Sequence, residues 1–220
     1  MDQFISLCVN ACSAYLGAIP FLIMLQLLSR KYGLPKRHQA GLYLYALTIC
    51  FILTSADSPS LYQLSFDPQF NLIPFLHIAD NYPLYIQGFL VYLPFGFLLP
   101  ALWEQFHTVK KVALYTLIFS MIVELSQIFC LSSTAVTDIT DLLLNLAGSL
   151  LGYLLFLSIE RFPFMNRMCL TCETSLGERL SNREASLYFA ASWLVTFLLA
   201  PFIANAIWDI IWNTAVGMPF

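Results

Sequence analysis

Charged residues are scarce in this sequence. Asp, Glu, Lys and Arg make up only 10% of its 220 residues, against about 25% in a typical soluble domain. The hydrophobic share is 59% and the mean hydropathy is +0.74. This shortage of charge excludes an ordinary soluble domain, and the net charge of −3 gives no reason to expect a nucleic acid as a partner. The composition predicts an integral membrane protein.

The amino terminus lacks the basic residues that begin a secretory signal peptide. No Lys or Arg occurs before Arg30. We therefore expect residues 4–29 to be a retained membrane helix. Nor do the apolar stretches alternate with polar residues as the strands of a membrane barrel do. Six segments are long and apolar enough to span a bilayer as helices: 4–29, 40–56, 84–103, 112–131, 138–160 and 187–212.

The predicted fold class is all-α, a polytopic membrane bundle of about six transmembrane helices in a single domain, 1–220. Basic residues predict its orientation, because they fall only in alternate connections. They follow the first, third and fifth predicted helices: Arg30, Lys31, Lys36 and Arg37; Lys110 and Lys111; Arg161, Arg167, Arg179 and Arg183. By the positive-inside rule these connections are cytoplasmic. Both termini are then extracytoplasmic.

Polar residues share one face of each of the fourth and fifth predicted helices, with spacings of three and four. They are Ser120, Glu124 and Gln127, then Asp138, Asp141 and Asn145. The short turn between the two helices predicts antiparallel neighbours. Glu124 and Asn145 then lie at the same depth, about 10 Å below the outer helix ends. The pattern predicts one polar pocket open to the outside.

Two structural interpretations compete with a functional pocket. Asp138 is a candidate N-cap, and Glu124 is a candidate partner for Asn145 or Gln127 that only holds helices together. An acidic residue near the bilayer centre costs about 2.5–3.5 kcal/mol. An interhelical hydrogen bond averages about 0.6 kcal/mol. One such bond does not offset that cost, which favours the functional pocket.

Four motifs resemble the VanZ-like membrane protein family: "NLIPF" at 71–75, "YLPFGFLLP" at 92–100, "SMIVELSQ" at 120–127 and "DITDLLLNLAGSLLGY" at 138–153. The resemblance covers a core at 41–160, and the helices at 4–29 and 187–212 flank it. It implies a ligand-binding set made of Ser120, Glu124, Gln127, Asp138, Asp141 and Asn145. Within that set, the candidates for catalysis are Glu124, Asp138 and Asp141.

The chain departs from the family pattern at two positions. Where the family usually has Arg, three residues before the first Asp, this chain has Ala135. Where the family tends to have Asn in the third helix, this chain has Gly88, beside Gln87. Without the Arg, we expect the pocket to be more acidic and to prefer a cationic ligand or metal.

The family's namesake is linked to low-level resistance to teicoplanin, a lipid-tailed glycopeptide that acts at the outer membrane face. The resemblance implies a protein of the bacterial inner membrane. Its pocket would bind a polar headgroup, a lipid-linked glycan or a lipoglycopeptide. Two alternatives stay open: a membrane enzyme that uses Glu and Asp as acid and base or as metal ligands, and a scaffold subunit. The expected partners are membrane lipids and a membrane protein that contacts helices 1 and 6.

One cysteine pair has the spacing of a metal or redox site. Cys169 and Cys172 form "CLTC" in a predicted cytoplasmic connection. His38 and His107 are predicted on the same side of the membrane and complete a set of four possible zinc ligands. A single CxxC is a weak signal, so we expect reduced thiols, no metal and no cofactor.

Overall fold

The computed structural model describes residues 2–31, 36–55, 70–75, 78–127, 137–160 and 177–216. This part of the chain contains seven α-helices, one short 3-10 turn and one pair of two-residue strands. The helices are α1 Asp2–Lys31, α2 Lys36–Ser55, α3 Ile78–Leu102, α4 Val109–Gln127, α5 Ile139–Glu160, α6 Gly177–Leu198 and α7 Ala200–Val216; the strands are β1 Phe70–Asn71 and β2 Thr137–Asp138. The predicted all-helical class is confirmed.

The predicted sixth helix, 187–212, is divided in the structure. α6 ends at Leu198 and α7 begins at Ala200. The Leu199 N–H still bonds the Val195 carbonyl at 2.9 Å on one side of the break. Pro201 follows directly and has no N–H to donate to the carbonyl four residues earlier. The hydropathy of a sequence does not reveal such a break, because it does not depend on whether a residue has a backbone N–H to donate.

Two of the described helices are long and apolar enough to cross a membrane. They are Tyr85–Leu102, with a hydropathy of 1.5, and Ile139–Glu160, with a hydropathy of 2.0. Shorter apolar stretches occur at Tyr15–Leu27, Ser186–Thr196 and Phe202–Ile211. The six spans and the outward termini therefore stay predictions.

Glycines bring α3 and α5 into close contact. A Cβ on Gly148 would lie 2.1 Å from the Phe89 carbonyl oxygen, and one on Gly152 would lie 2.0 Å from the Leu93 carbonyl oxygen. Gly96 on α3 makes an equally close approach to the backbone of α5. Because residue numbers at these contacts rise together on α3 and α5, the two helices run parallel. No side chain fits between them, so the glycines allow the two backbones to touch.

The opposite side of α3 packs in an aromatic core. The Phe95 ring lies 4.8 Å from Phe119 on α4 and 5.8 Å from Tyr45 on α2, measured between ring centroids. Tyr45 in turn contacts Trp103 at 4.9 Å. Stacked and edge-to-face contacts of this kind join α2, α3 and α4 into one unit.

One face of α4 is apolar and exposed within the part of the chain that the structure describes. Its exposed side chains are Leu114, Ile118, Met121, Ile122 and Leu125, each between 42% and 60% exposed. These positions recur every three or four residues, so they form a stripe along the helix. An exposed aliphatic stripe of this length is what a helix presents to lipid.

Candidate functional site

The strand pair brings two distant connections to the same end of α3 and α5. β1 and β2 are parallel, with Phe70 opposite Thr137 and Asn71 opposite Asp138. β2 leads directly into α5, and β1 precedes α3. The "NLIPF" motif therefore lies over the start of α5, at the end of the bundle predicted to face outside.

Asp138 is buried and fully engaged. Its Oδ2 accepts hydrogen bonds from the Tyr85 hydroxyl at 2.9 Å and from Asn71 Nδ2 at 3.1 Å. Its Oδ1 accepts the Thr140 N–H at 2.8 Å. Because Asp138 immediately precedes α5, the last bond is an N-cap. The N-cap interpretation thus holds. Because Asn71 lies on β1 and Tyr85 on α3, the Asp138 carboxylate links both elements to the start of α5.

Polar side chains join α4 to α5 in a ladder of two rungs. Asn145 Nδ2 donates to Ser120 Oγ at 2.9 Å. One turn deeper, Thr116 and Ser149 bond through their hydroxyls at 2.7 Å. All four residues are buried. Residue numbers fall on α4 as they rise on α5, so the predicted antiparallel pairing is correct.

The prediction that Glu124 and Asn145 lie at the same depth is wrong. Asn145 pairs with Ser120, one turn or about 6 Å further from the outer end than Glu124. The Glu124 carboxylate meets the start of α5 instead, where its Oε2 accepts the Asp138 N–H at 3.4 Å.

Asp141 differs from the other two acids in its contacts. Its side chain is half-buried in the first turn of α5. It lies within electrostatic range of both Glu124 and Asp138. Among the described residues, no group donates a hydrogen bond to its carboxylate. Asp141 therefore differs from Asp138, whose carboxylate accepts three hydrogen bonds.

Tyr92 adds a hydroxyl that the sequence reasoning missed. The side chain is 3% exposed, and its hydroxyl has no hydrogen-bond partner in the described part of the chain. It lies close to Ser120 and within electrostatic range of Glu124 and Asp141. A buried hydroxyl without a partner is costly. Its position makes it a donor toward anything that binds between α3, α4 and α5.

Gly88 on α3 lies against the Asn145 side chain. A Cβ on Gly88 would lie 3.0 Å from Asn145 Oδ1, closer than an ordinary contact. Gly88 is the position where the family pattern has Asn. This departure therefore falls beside Asn145. A side chain at 88 would require the Asn145 amide to shift.

Several remaining candidates lie outside the described residues. They are the side chain of Gln127, the last described residue of α4, and residues Ala135, Cys169 and Cys172. The His107 ring bonds the Pro100 carbonyl at 3.0 Å, and His38 is buried on α2.

Across the described ranges, no group of three or more His, Cys, Asp or Glu side chains has the geometry to hold a metal ion. Glu124, Asp138 and Asp141 are among these side chains. The idea that Asp138 and Asp141 hold a divalent cation therefore gains no geometric support.

Sequence reasoning missed several residues that build the site: Asn71, Tyr85, Tyr92, Thr116, Thr140 and Ser149. Two of them were within reach of a simple pattern. Thr116 lies four residues before Ser120, and Ser149 lies four residues after Asn145. Both continue the spacing that identified the pocket. Asn71 and Tyr85 carry no such signal, because they reach Asp138 from elsewhere in the chain.

Comparison with known proteins gives one match. A family model described as VanZ/LLP1 matches residues 40–160, more than half of the chain. The match confirms the resemblance drawn from the four motifs and coincides with the core placed at 41–160. It includes every residue of the pocket. No curated protein and no solved structure matches the chain.

Proposed function

Because the chain belongs to the VanZ/LLP1 family, we propose that it is a multi-pass protein of the bacterial cytoplasmic membrane with both termini outside. Its pocket binds the polar headgroup of a lipid-linked envelope glycan or of a lipoglycopeptide. Membership in this family suggests a role related to teicoplanin resistance. The wider role is protection of the cell envelope.

The Asp141 carboxylate supports this proposal most directly. It is half-buried in a largely apolar bundle, next to two other acids, without a hydrogen-bond donor among the described residues. Removing a carboxylate from water without a donor is costly. A ligand that brings hydroxyl or ammonium donors to Asp141 offsets that cost.

The neighbours of Asp141 define what the ligand meets. Asp138 is occupied by its own three donors and acts as a rigid frame. Asn145 Oδ1, beside Gly88, adds an acceptor. The Tyr92 hydroxyl adds a donor. A sugar or amine headgroup, rich in donors, suits this set better than an anionic phosphate does, because like charges repel.

An enzyme is the second candidate, and one observation favours it. Glu124 is 5% exposed, whereas Asp141 beside it is half-buried. Two neighbouring carboxyls in different environments can divide the roles of acid and base. The scaffold alternative is favoured by the polar ladder, in which Ser120 and Asn145 satisfy each other inside the protein.

The test compares Asp141→Asn with Asp209→Asn, the same change at an exposed position of α7. Each variant is expressed in cells challenged with teicoplanin and is purified in native-lipid nanodiscs. We expect Asp141→Asn to lose the resistance increment and the co-purifying lipid seen by mass spectrometry. Its melting temperature should change by less than about 3 °C, equivalent to about 1 kcal/mol, because no hydrogen bond is broken.

The Asp209→Asn control should keep both properties. Unchanged resistance and unchanged lipid in Asp141→Asn would refute the binding pocket. A large fall in melting temperature that accompanies every loss of function would instead support the scaffold alternative.

A further inference from the structure

The segment Asn71–Phe75, here called the 71–75 loop, exposes apolar side chains beside the pocket. Leu72 is 71% exposed, Ile73 60% and Phe75 49%. Pro74 is exposed between them, and the loop contains no charged residue. Scattered exposed apolar residues are normal, but a contiguous exposed cluster marks an interaction surface.

The loop is built to hold this shape. The Ile73 N–H bonds back to Asn71 Oδ1 at 3.3 Å, and the Phe75 N–H donates to Thr140 Oγ1 at 3.0 Å. Phe75 has a φ of 64°, a strained conformation that a bulky residue rarely adopts. A strained conformation persists where the surrounding bonds impose it. Both ends of the loop are hydrogen-bonded to the start of α5. These bonds fix the backbone in a conformation that leaves its apolar side chains exposed.

Exposed apolar side chains also occur on α3 and α5, the two helices beside the loop. Ile86 and Leu90 on α3 are 53% and 55% exposed, and Leu143 on α5 is 40% exposed. These helices contain the two stretches that are long and apolar enough to cross a membrane. A soluble protein partner would need to cover a surface that lies beside the lipid-facing sides of α3 and α5. The bilayer covers both.

We infer that the 71–75 loop inserts Leu72, Ile73 and Phe75 into the outer leaflet of the membrane, beside the entrance of the pocket. This inference rests on the proposed function, since it needs the spanning helices and their outward orientation. Insertion places Asp138 and Asp141 at the level of the lipid headgroups. The ligand is then an amphiphile that enters sideways from the leaflet, with its headgroup in the pocket and its tail left in lipid.

The experiment measures the depth of a nitroxide attached at position 73. The six native cysteines are replaced, Ile73→Cys is labelled, and the protein is reconstituted in phosphatidylcholine vesicles. Collisions with oxygen, which concentrates in the hydrocarbon, are compared with collisions with a water-soluble nickel complex. Two reference labels replace Leu154, 55% exposed on α5, and Glu104, exposed in the 3-10 turn.

We expect the label at 73 to favour oxygen over nickel, as the label at 154 does, and unlike the label at 104. A label at Leu72 gives a second reading if labelling at 73 prevents assembly. In the labelled Leu72 variant, Ile73→Asp should raise nickel collisions several-fold, whereas Ile73→Val should leave them unchanged.

The outcomes separate this inference from the proposal on which it rests. An oxygen-favouring label at 154 together with a nickel-favouring label at 73 or 72 overturns the inference and leaves the spanning helices intact. A nickel-favouring label at 154 shows that α5 does not cross the membrane. That result removes the proposed membrane bundle, and the inference with it.

Discussion

The two faces of α5 use different means to hold a neighbour. Toward α3 it presents Gly148 and Gly152, and the backbones touch. Toward α4 it presents Asn145 and Ser149, which make hydrogen bonds through their side chains. Both pairs are spaced four residues apart, so each face repeats once per turn. One helix therefore uses shape for one partner and hydrogen bonds for the other.

The difference has a consequence for where a ligand can bind. A contact between backbones leaves no room and cannot exchange partners. A side-chain hydrogen bond can be replaced by an equivalent bond to a ligand at little net cost. We therefore expect a ligand on the polar side of α5, while the glycine side keeps α3 and Tyr92 in position. Three experiments test this division.

The largest effect should come from Gly148→Ala. Its new Cβ would lie 2.1 Å from the Phe89 carbonyl oxygen, so α3 and α5 must separate. Overpacking of this kind typically costs about 1–3 kcal/mol, and backbone on both sides places this site at the upper end or beyond. We expect poor yield and a clearly lower melting temperature in detergent.

Gly17→Ala is the matched control on α1. There the new Cβ finds its nearest neighbour at 3.4 Å, an ordinary contact. Replacing glycine by alanine inside a helix otherwise favours folding by up to about 1 kcal/mol. Gly148→Ala should therefore lower the melting temperature of the protein, whereas Gly17→Ala should raise it slightly. Equal melting temperatures would show that the α3–α5 contact is not tight.

Asp138→Asn, immediately before the start of α5, should have an intermediate effect on stability. The new amide presents N–H groups toward Asn71 Nδ2, which is itself a donor. Asn71 cannot turn its amide round without losing the bond from Ile73 to its Oδ1. A buried donor left without an acceptor costs about 1–3 kcal/mol. Thermal unfolding should show this loss in Asp138→Asn and not in Asp141→Asn. The reverse order would contradict the assignment of Asp138 as frame and Asp141 as ligand contact.

The smallest effect should come from the polar ladder. A double-mutant cycle with Ser120→Ala and Asn145→Ala, read by reversible unfolding, should give a coupling energy of about 0.6 kcal/mol. A coupling near zero would mean that this rung does not join the helices. A coupling well above about 1.7 kcal/mol, the top of the range for such bonds, would mean that the rung is too strong to open for a ligand.

Local pattern was enough to predict part of the site. The spacing of Ser120 and Glu124 on α4 and of Asp141 and Asn145 on α5 depends only on helical periodicity, and it placed both sets on facing sides. Local pattern also indicated Asp138 as an N-cap, but it did not predict the side chains that donate to its carboxylate. Tyr85 reaches that carboxylate from 53 residues away in the chain and Asn71 from 67. Tertiary contacts of this length leave no periodic signal.

The same limit applies to depth and to breaks. Helix ends taken from hydropathy placed Glu124 level with Asn145, whereas the residue that pairs with Asn145 is Ser120, one turn away. Hydropathy also joined α6 and α7, because an apolar run hides the effect of Pro201. Helix class depends on composition averaged over many residues. Register and helix ends depend on single hydrogen-bond donors and acceptors. An average of hydropathy over many residues does not show these groups.

The parallel pairing of β1 with β2 also sets the order in which the molecule is made. Asn71 leaves the ribosome 67 residues before Asp138, a gap of roughly 3–13 s at typical synthesis rates of about 5–20 residues per second. During that interval α3 is complete, but Tyr85 and Asn71 still lack the carboxylate that will bind them. The newborn chain must keep these donors in contact with water until α5 arrives. Arrival of α5 therefore completes the hydrogen bonds around Asp138 in a single late step.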